Sequence, residues 1–206
     1  VARRYSGPTL VVLPKWYASE APASLTSEAR QGWVTLNGSS PPGWPMEFDE
    51  PYRFEAEAGK LEGAAPHWRG LGHAGALPEP AQSVHNGESD LIPLVTNRSG
   101  RPLAGYVDDQ GWYPALDEAA GRTVSDSDSR DSDRWPVVFV AEPDLRNNYG
   151  MADRARADLA RDLVQLAMEG EDLGVTFDLT LNGIGQTQNL LTLAFTPPFL
   201  AATLCL

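Results

Sequence analysis

The chain has 206 residues, 42% of them hydrophobic, long enough for one domain with a proper apolar core. Its formal net charge of −12, with 28 acidic against 16 basic residues and no Lys/Arg run, excludes a phosphate-backbone partner, which such a surface would repel. The single cysteine, Cys205, excludes an intrachain disulfide and a cysteine-based zinc site.

The opening residues lack the apolar stretch of a signal peptide and run directly into residues 9–13, Thr-Leu-Val-Val-Leu. A short run of this kind, rich in β-branched side chains, predicts a strand covered on both faces. From about residue 37 to 135 the chain is dense in Pro and Gly and shows no long helical pattern. Within it, residues 52–58 alternate like a half-exposed strand. Residues 91–96 and 102–107 flank Asn97-Arg98-Ser99-Gly100, a hairpin signal. This stretch is expected to form a β-rich insertion.

Residues 137–141, Val-Val-Phe-Val-Ala, predict a second covered strand, and residues 152–169 the best helix of the chain. Ala155, Leu159, Leu163, Leu166 and Ala167 recur at helical spacing, opposite Arg154, Arg156, Asp158, Arg161 and Asp162. Asn147 or Asn148 is placed to cap its start, and Gly170 or Gly174 to stop it. A third apolar run covers residues 175–179. Strand, helix and strand in that order predict a right-handed crossover between parallel strands. The expected domain is therefore α/β, with a parallel core from residues 1–36 and 136–189 interrupted by the β-rich insertion. Residues 190–206 carry no charge and contain Pro197-Pro198. Shorter than the roughly 20 apolar residues of a spanning helix, they read either as a buried terminal segment or as the start of a membrane anchor.

No complete catalytic centre is visible: there is no G-x-S-x-G turn and no cysteine except near the end. The turn after residues 137–141 is polar, and α/β folds place ligands at the carboxyl ends of parallel strands. That makes Asp144, Asn147 and Asn148 candidate ligand contacts, although a turn and a helix cap need the same residue types. His67, His73 and His85, with Glu79, Glu88 and Asp90 nearby, match no metal-ligand spacing, and no metal or cofactor is expected. The acidic run from Asp126 to Asp133 has Asp131 and Val137 where a calcium loop needs Gly and Glu, which leaves a solvated loop. Six tryptophans, Trp16, Trp33, Trp44, Trp68, Trp112 and Trp135, suit either a glycan or peptide platform or the core of a β subdomain.

The segment from Val137 through Glu142-Pro-Asp-Leu-Arg-Asn-Asn-Tyr-Gly150 to Asp153, its helix, and Val175-Thr-Phe-Asp178 resemble a bacterial family known as domain of unknown function 4350. Gly183, the apolar run from Leu190 and the opening Gly7-Pro-Thr-Leu-Val-Val-Leu-Pro14 are similar to other features of that family. The resemblance covers a third to a half of the chain and leaves residues 37–135 aside. It implies a flavodoxin-like or class I amidotransferase-like α/β domain, anchored in the bacterial inner membrane through a segment at or beyond Leu190 and facing the periplasm. It also implies association with AAA-type ATPases and related membrane proteins, and it matches Asp144, Asn147, Asn148, Gly150 and Asp178 to the motif. The functional expectation is a non-catalytic ligand- or protein-binding domain, with a groove along the turn from Asp144 to Gly150. The alternative is a carboxylate-dependent hydrolase using Asp144 and Asp178.

Overall fold

All four residues of strand β10 (Val137–Val140) are buried, yet they serve two different cores. Val138 and Val140 point into one; Val137 and Phe139 point into the other. Such a run fits a strand covered on both faces, and β10 lies inside a six-stranded sheet. It pairs parallel with β1 (Thr9–Val12) and antiparallel with β9 (Pro102–Val107). The computed structural model describes residues 7–20, 34–59, 67–85, 89–123, 130–146 and 153–178.

The remaining elements, in chain order, are β2 (Trp16–Glu20), β3 (Val34–Ser39), β4 (Ala56–Gly59), β5 (His67–Gly70), β6 (His73–Ala76), β7 (Ala81–Val84) and β8 (Leu91–Asn97), with helices α1 (Pro114–Ala119) and α2 (Arg154–Ala167). The principal sheet runs β1-β10-β9-β8-β5-β6, and β2-β3 and β4-β7 form separate antiparallel pairs. Only the β1–β10 pairing within the principal sheet is parallel. Helix α2 packs against both edge strands, β1 and β6. Six flat strands would span five spacings of about 4.8 Å, roughly twice a helix diameter of about 10–12 Å. The sheet therefore curls around α2.

Inside the curl, Leu159 and Leu163 of α2 and Leu116 of α1 join one buried cluster with Trp68, Val95, Leu103, Tyr106, Val138 and Val140. The indole of Trp68 lies against Gly75, where a Cβ would come 2.8 Å from its Nε1. On the other face, Val11, Leu13, Phe54, Val84, Leu91, Val107 and Phe139 form the second cluster, covered by Trp44, Phe48 and Tyr52. Phe54 meets Phe139 edge-on at 4.9 Å between ring centres, a favoured aromatic geometry.

The hairpin expected around residues 97–100 joins β8 to β9. Asn97 Oδ1 accepts from the backbone N–H groups of Ser99 and Arg101, and Gly100 takes the left-handed φ of +82° that the turn requires. Where β8 bulges beside Pro93, its backbone closes on Gly105; a Cβ there would stand 2.3 Å from the Ile92 carbonyl oxygen.

The structure overturns the expected fold class. Strand dominates, only two α-helices are present among the described residues, and the curled mixed sheet is neither a flavodoxin-like nor an amidotransferase-like parallel core. Two of the three expected core strands form and pair in parallel. The third does not: residues 175–178 are exposed and have no regular secondary structure, and residue 179 lies outside the described residues. The supposed insertion supplies β5, β6, β8 and β9, four strands of the principal sheet. Antiparallel pairing of these short strands depends on contacts far apart in sequence, which local periodicity does not register. Helix α2 is capped by Asp153, whose Oδ1 accepts from Ala155 N at 2.8 Å and Arg156 N at 3.3 Å. The expected caps, Asn147 and Asn148, lie outside the described residues. The chain divides into two units, Val1–Asp172 and Leu173–Leu206, and only residues 173–178 of the second are described.

Candidate functional site at the root of an exposed ribbon

Strands β1 and β10 run side by side with Val12 opposite Val140, so the segments just beyond their carboxyl ends emerge together. From β1 comes Lys15; from β10 come Glu142 and Asp144. All three are sealed from solvent, with side-chain exposures of 0%, 0% and 1%. The Lys15 ammonium donates to Glu142 Oε1 at 2.6 Å, to Asp144 Oδ2 at 2.5 Å and to the Pro80 carbonyl at 3.1 Å. Trp16, the next residue, donates its indole N–H to Asp144 Oδ1 at 2.9 Å. Gln82 of β7 closes the far side. Its backbone N–H donates to Glu142 Oε2 at 2.6 Å, while its side-chain amide donates to the carbonyls of Ala141 and Pro14.

Among the described residues, the cluster brings one cation and two carboxyls together in a place sealed from solvent. Burial of charge is tolerated only when hydrogen bonds and counter-charges replace the lost hydration. Asp144 receives bonds from Lys15 and Trp16. Glu142 receives them from Lys15 and from the backbone of Gln82 and Asp144. Burial nevertheless pushes the Glu142 carboxyl up to about 7, with Lys15 and the two backbone N–H groups opposing the shift.

From this root projects the β2–β3 ribbon. It forms its own two-stranded sheet, with Trp16 opposite Ser39 at its base and a bulge between Tyr17 and Ala18. Ser40 N–H donates to the Lys15 carbonyl at 2.9 Å and ties the two strands together there. Residues 17–19 and 35–38 are exposed on both faces. Asn37 donates to the Ser19 hydroxyl on one face; Ala18 and Leu36 are opposite each other on the other. Tyr17 is 64% exposed and Leu36 54%.

Of the residues singled out from sequence, Asp144 enters this cluster, as a buried ion-pair partner. Asn147, Asn148 and Gly150 lie outside the described residues. Asp178 is exposed and belongs to the second unit. The histidines are dispersed: His67 is exposed in β5, His73 Nε2 meets Asp162 Oδ2 at 2.9 Å, and His85 Nδ1 lies 2.6 Å from Glu57 Oε1. No group of three or more His, Cys, Asp or Glu side chains suited to a metal ion occurs among the described residues. In the described part of the acidic run, Arg130 pairs with Asp108 and Asp131 with Arg134. Trp68 is core, while Trp16 belongs to the cluster.

Sequence reasoning missed Lys15, Glu142 and Gln82, and offered Trp16 only as one of six tryptophans suited to a platform or a core. A signal for two of them existed. Lys15 is one of only two lysines in the chain, and it and Glu142 stand just past the ends of the two predicted parallel strands. Opposite charges at matching positions could have been paired. Nothing in the local sequence marks Gln82.

No protein-family model matches the chain, and no curated protein or solved structure is significantly similar to it.

Proposed function

We propose that this chain is a non-catalytic protein-binding domain of a bacterial membrane-anchored protein, facing the periplasm, with the β2–β3 ribbon as its contact element. The observation that carries the reading is a contrast between root and ribbon. The polar groups gathered at the strand ends are buried and bonded to one another, whereas Tyr17 and Leu36 are exposed on a strand pair that, among the described residues, no other strand joins. An isolated two-stranded ribbon is marginal in water, and exposed strand edges are ready templates for a partner's backbone.

A partner from an AAA-type ATPase-associated membrane system, and an anchor at or beyond Leu190, are parts of the same proposal. They are supported by the likeness of the Glu142–Gly150 turn to domain of unknown function 4350 and by the uncharged run 190–206. Among the described residues no helix is long and apolar enough to cross a membrane, and residues 190–206 lie outside them. The reading as a carboxylate hydrolase draws less support. A catalytic carboxylate must reach substrate or water, and Asp144 is 1% exposed and bonded to Lys15 and Trp16.

The test is cross-linking and capture of the full-length tagged protein from native membranes, comparing wild type with Tyr17→Ser/Leu36→Ser. Exposed substitutions of this kind change stability by less than about 0.5 kcal/mol, so the variant folds. Its recovery of the wild type's partner is expected to fall about tenfold or more, as loss of two apolar contacts implies. Equal recovery rejects the ribbon as the contact, and a full-length protein found in the soluble fraction rejects the anchor.

A further inference from the structure

We propose that the Lys15–Glu142–Asp144 cluster is a proton-operated latch, gripping the root of the β2–β3 ribbon when it holds one extra proton and loosening as it becomes fully ionised. The latch itself stands on the cluster's geometry; that it controls partner binding rests on the proposed function.

The geometry couples charge to the ribbon directly. Lys15 and Trp16 are the residues through which β1 passes into β2, and both are bonded to Asp144. Any change in how firmly Asp144 and Glu142 hold these two side chains acts at the point where the ribbon leaves the body. Among the described residues, the charged groups facing Glu142 are Lys15 from the β1–β2 link and Asp144 from its own turn. β7 presents only the neutral Gln82, and the residue before β7 directs the Pro80 carbonyl at Lys15.

With Glu142 ionised, its wholly buried carboxylate has lost its hydration, which the Lys15 ammonium and the two backbone N–H groups only partly replace. One proton taken from water onto Glu142 neutralises that carboxyl and leaves Lys15 to Asp144, the carboxylate that also holds Trp16. The closed site therefore prefers the proton. Opened to water, the Glu142 carboxyl recovers its ordinary acidity, so opening releases that proton and becomes easier as pH rises. Burial pushes Glu142 from 4.5 up to about 7 in the closed form. Opening thus eases about tenfold per pH unit across that interval, on the order of 300-fold in all, and no further above it.

The experiment follows the Trp16 indole N–H by ¹⁵N NMR in the wild-type protein, assigned by its disappearance in Trp16→Phe. Its protection against hydrogen exchange, corrected for the intrinsic effect of pH, is measured between pH 5 and 8 beside that of the core amides of Val138 and Val140. The latch predicts that Trp16 protection falls by about ten- to a hundredfold between pH 5 and 7 and levels off above, and that it stays below the protection of the core amides at every pH, because the root opens without global unfolding. Constant Trp16 protection overturns the proposal, and so does a Trp16 protection equal to that of the core amides at each pH, which would mean that the root opens only when the whole domain unfolds. In Glu142→Gln the Trp16 profile becomes flat; a sloping profile in that variant also overturns it. If Glu142→Gln does not fold, the wild-type comparison of Trp16 with the core decides alone. None of these measurements involves a partner. A titrating latch combined with undiminished capture by Tyr17→Ser/Leu36→Ser rejects the binding reading and leaves the latch standing.

Discussion

Lys15 has its ammonium out of water, within 3.1 Å of oxygens from Pro80, Glu142 and Asp144. Its aliphatic stem alone would account for burial beside Leu13, but the charge would not survive there without those acceptors. Removing one member of a buried charge set leaves the others uncompensated, at a cost of about 3–5 kcal/mol. Lys15→Met keeps the stem and deletes the charge, leaving Glu142 and Asp144 buried without the ammonium they share. It is expected to lower the unfolding free energy by that amount, measured by urea denaturation near neutral pH. A loss under about 1 kcal/mol would show that water reaches the carboxyls after all, as it does around exposed pairs such as Arg161–Asp158. Sequence made the two strands leading into this cluster legible through their apolar runs. It did not reveal that the residues just beyond them turn inward, because a charged residue after a strand looks the same whether it faces solvent or a buried partner.

At the scale of elements, legibility follows the range of the interactions. Helix α2 was readable by its period, which shows within a dozen residues, and β1 and β10 by unbroken runs of apolar, mostly β-branched side chains. Strands β4 to β7 also have four residues apiece, but Ala, Gly and polar side chains such as His fill most of their positions, so they offer neither a period nor an apolar run. Residues 173–178 show the converse. Leu173, Val175 and Phe177 alternate as a strand would, yet they are 37%, 57% and 79% exposed, since a period fixes which side chains share a face but not whether anything covers it. Caps divide in the same way. Asp153 lies next to α2 and is a local signal, although the asparagines upstream drew the expectation. Helix α1 has no side-chain cap of its own; Glu169, 53 residues beyond Leu116, accepts from its N–H and from that of Ala115. Asp153→Ala removes the two capping bonds of α2 and should cost about 1 kcal/mol, read as a lower urea midpoint with unchanged slope. An unchanged midpoint would mean that another group takes over those N–H groups, with Asn148 the first to replace in the Asp153→Ala background.

For the molecule as a whole, acidity and the buried cluster act together on pH dependence. Asp162 and Asp108 are held below the usual carboxylate range, Asp162 chiefly by its bond to His73 and Asp108 by Arg130 and Arg122 against the opposing effect of burial. A lowered value stabilises the fold above the unfolded pKa and is lost as pH falls, so these groups weaken the protein on the acid side, below about pH 4. Glu142 works in the opposite sense. Its folded value of about 7 lies above the ordinary 4.5, so its contribution is complete below pH 4.5 and is lost as pH rises through 7, to the extent of on the order of 3 kcal/mol. Burial raises Glu169 as well, and the formal charge of −12 at pH 7 adds self-repulsion that also grows with pH. Maximum stability is therefore expected on the acid side of neutrality, near pH 5, in contrast to a protein whose ionisable groups are all paired at its surface. Urea midpoints measured at pH 5.5 and 7.5 should fall between the two, and most of that fall should vanish in Glu142→Gln. The variant will start lower, because its amide NH₂ must face either the Gln82 N–H or the donors at Oε1, so the comparison lies in the slope with pH. A slope as steep in Glu142→Gln as in wild type would assign the effect to overall charge. Raising the salt concentration would then flatten both proteins alike, since screening weakens the diffuse repulsion while leaving a sealed carboxyl largely untouched.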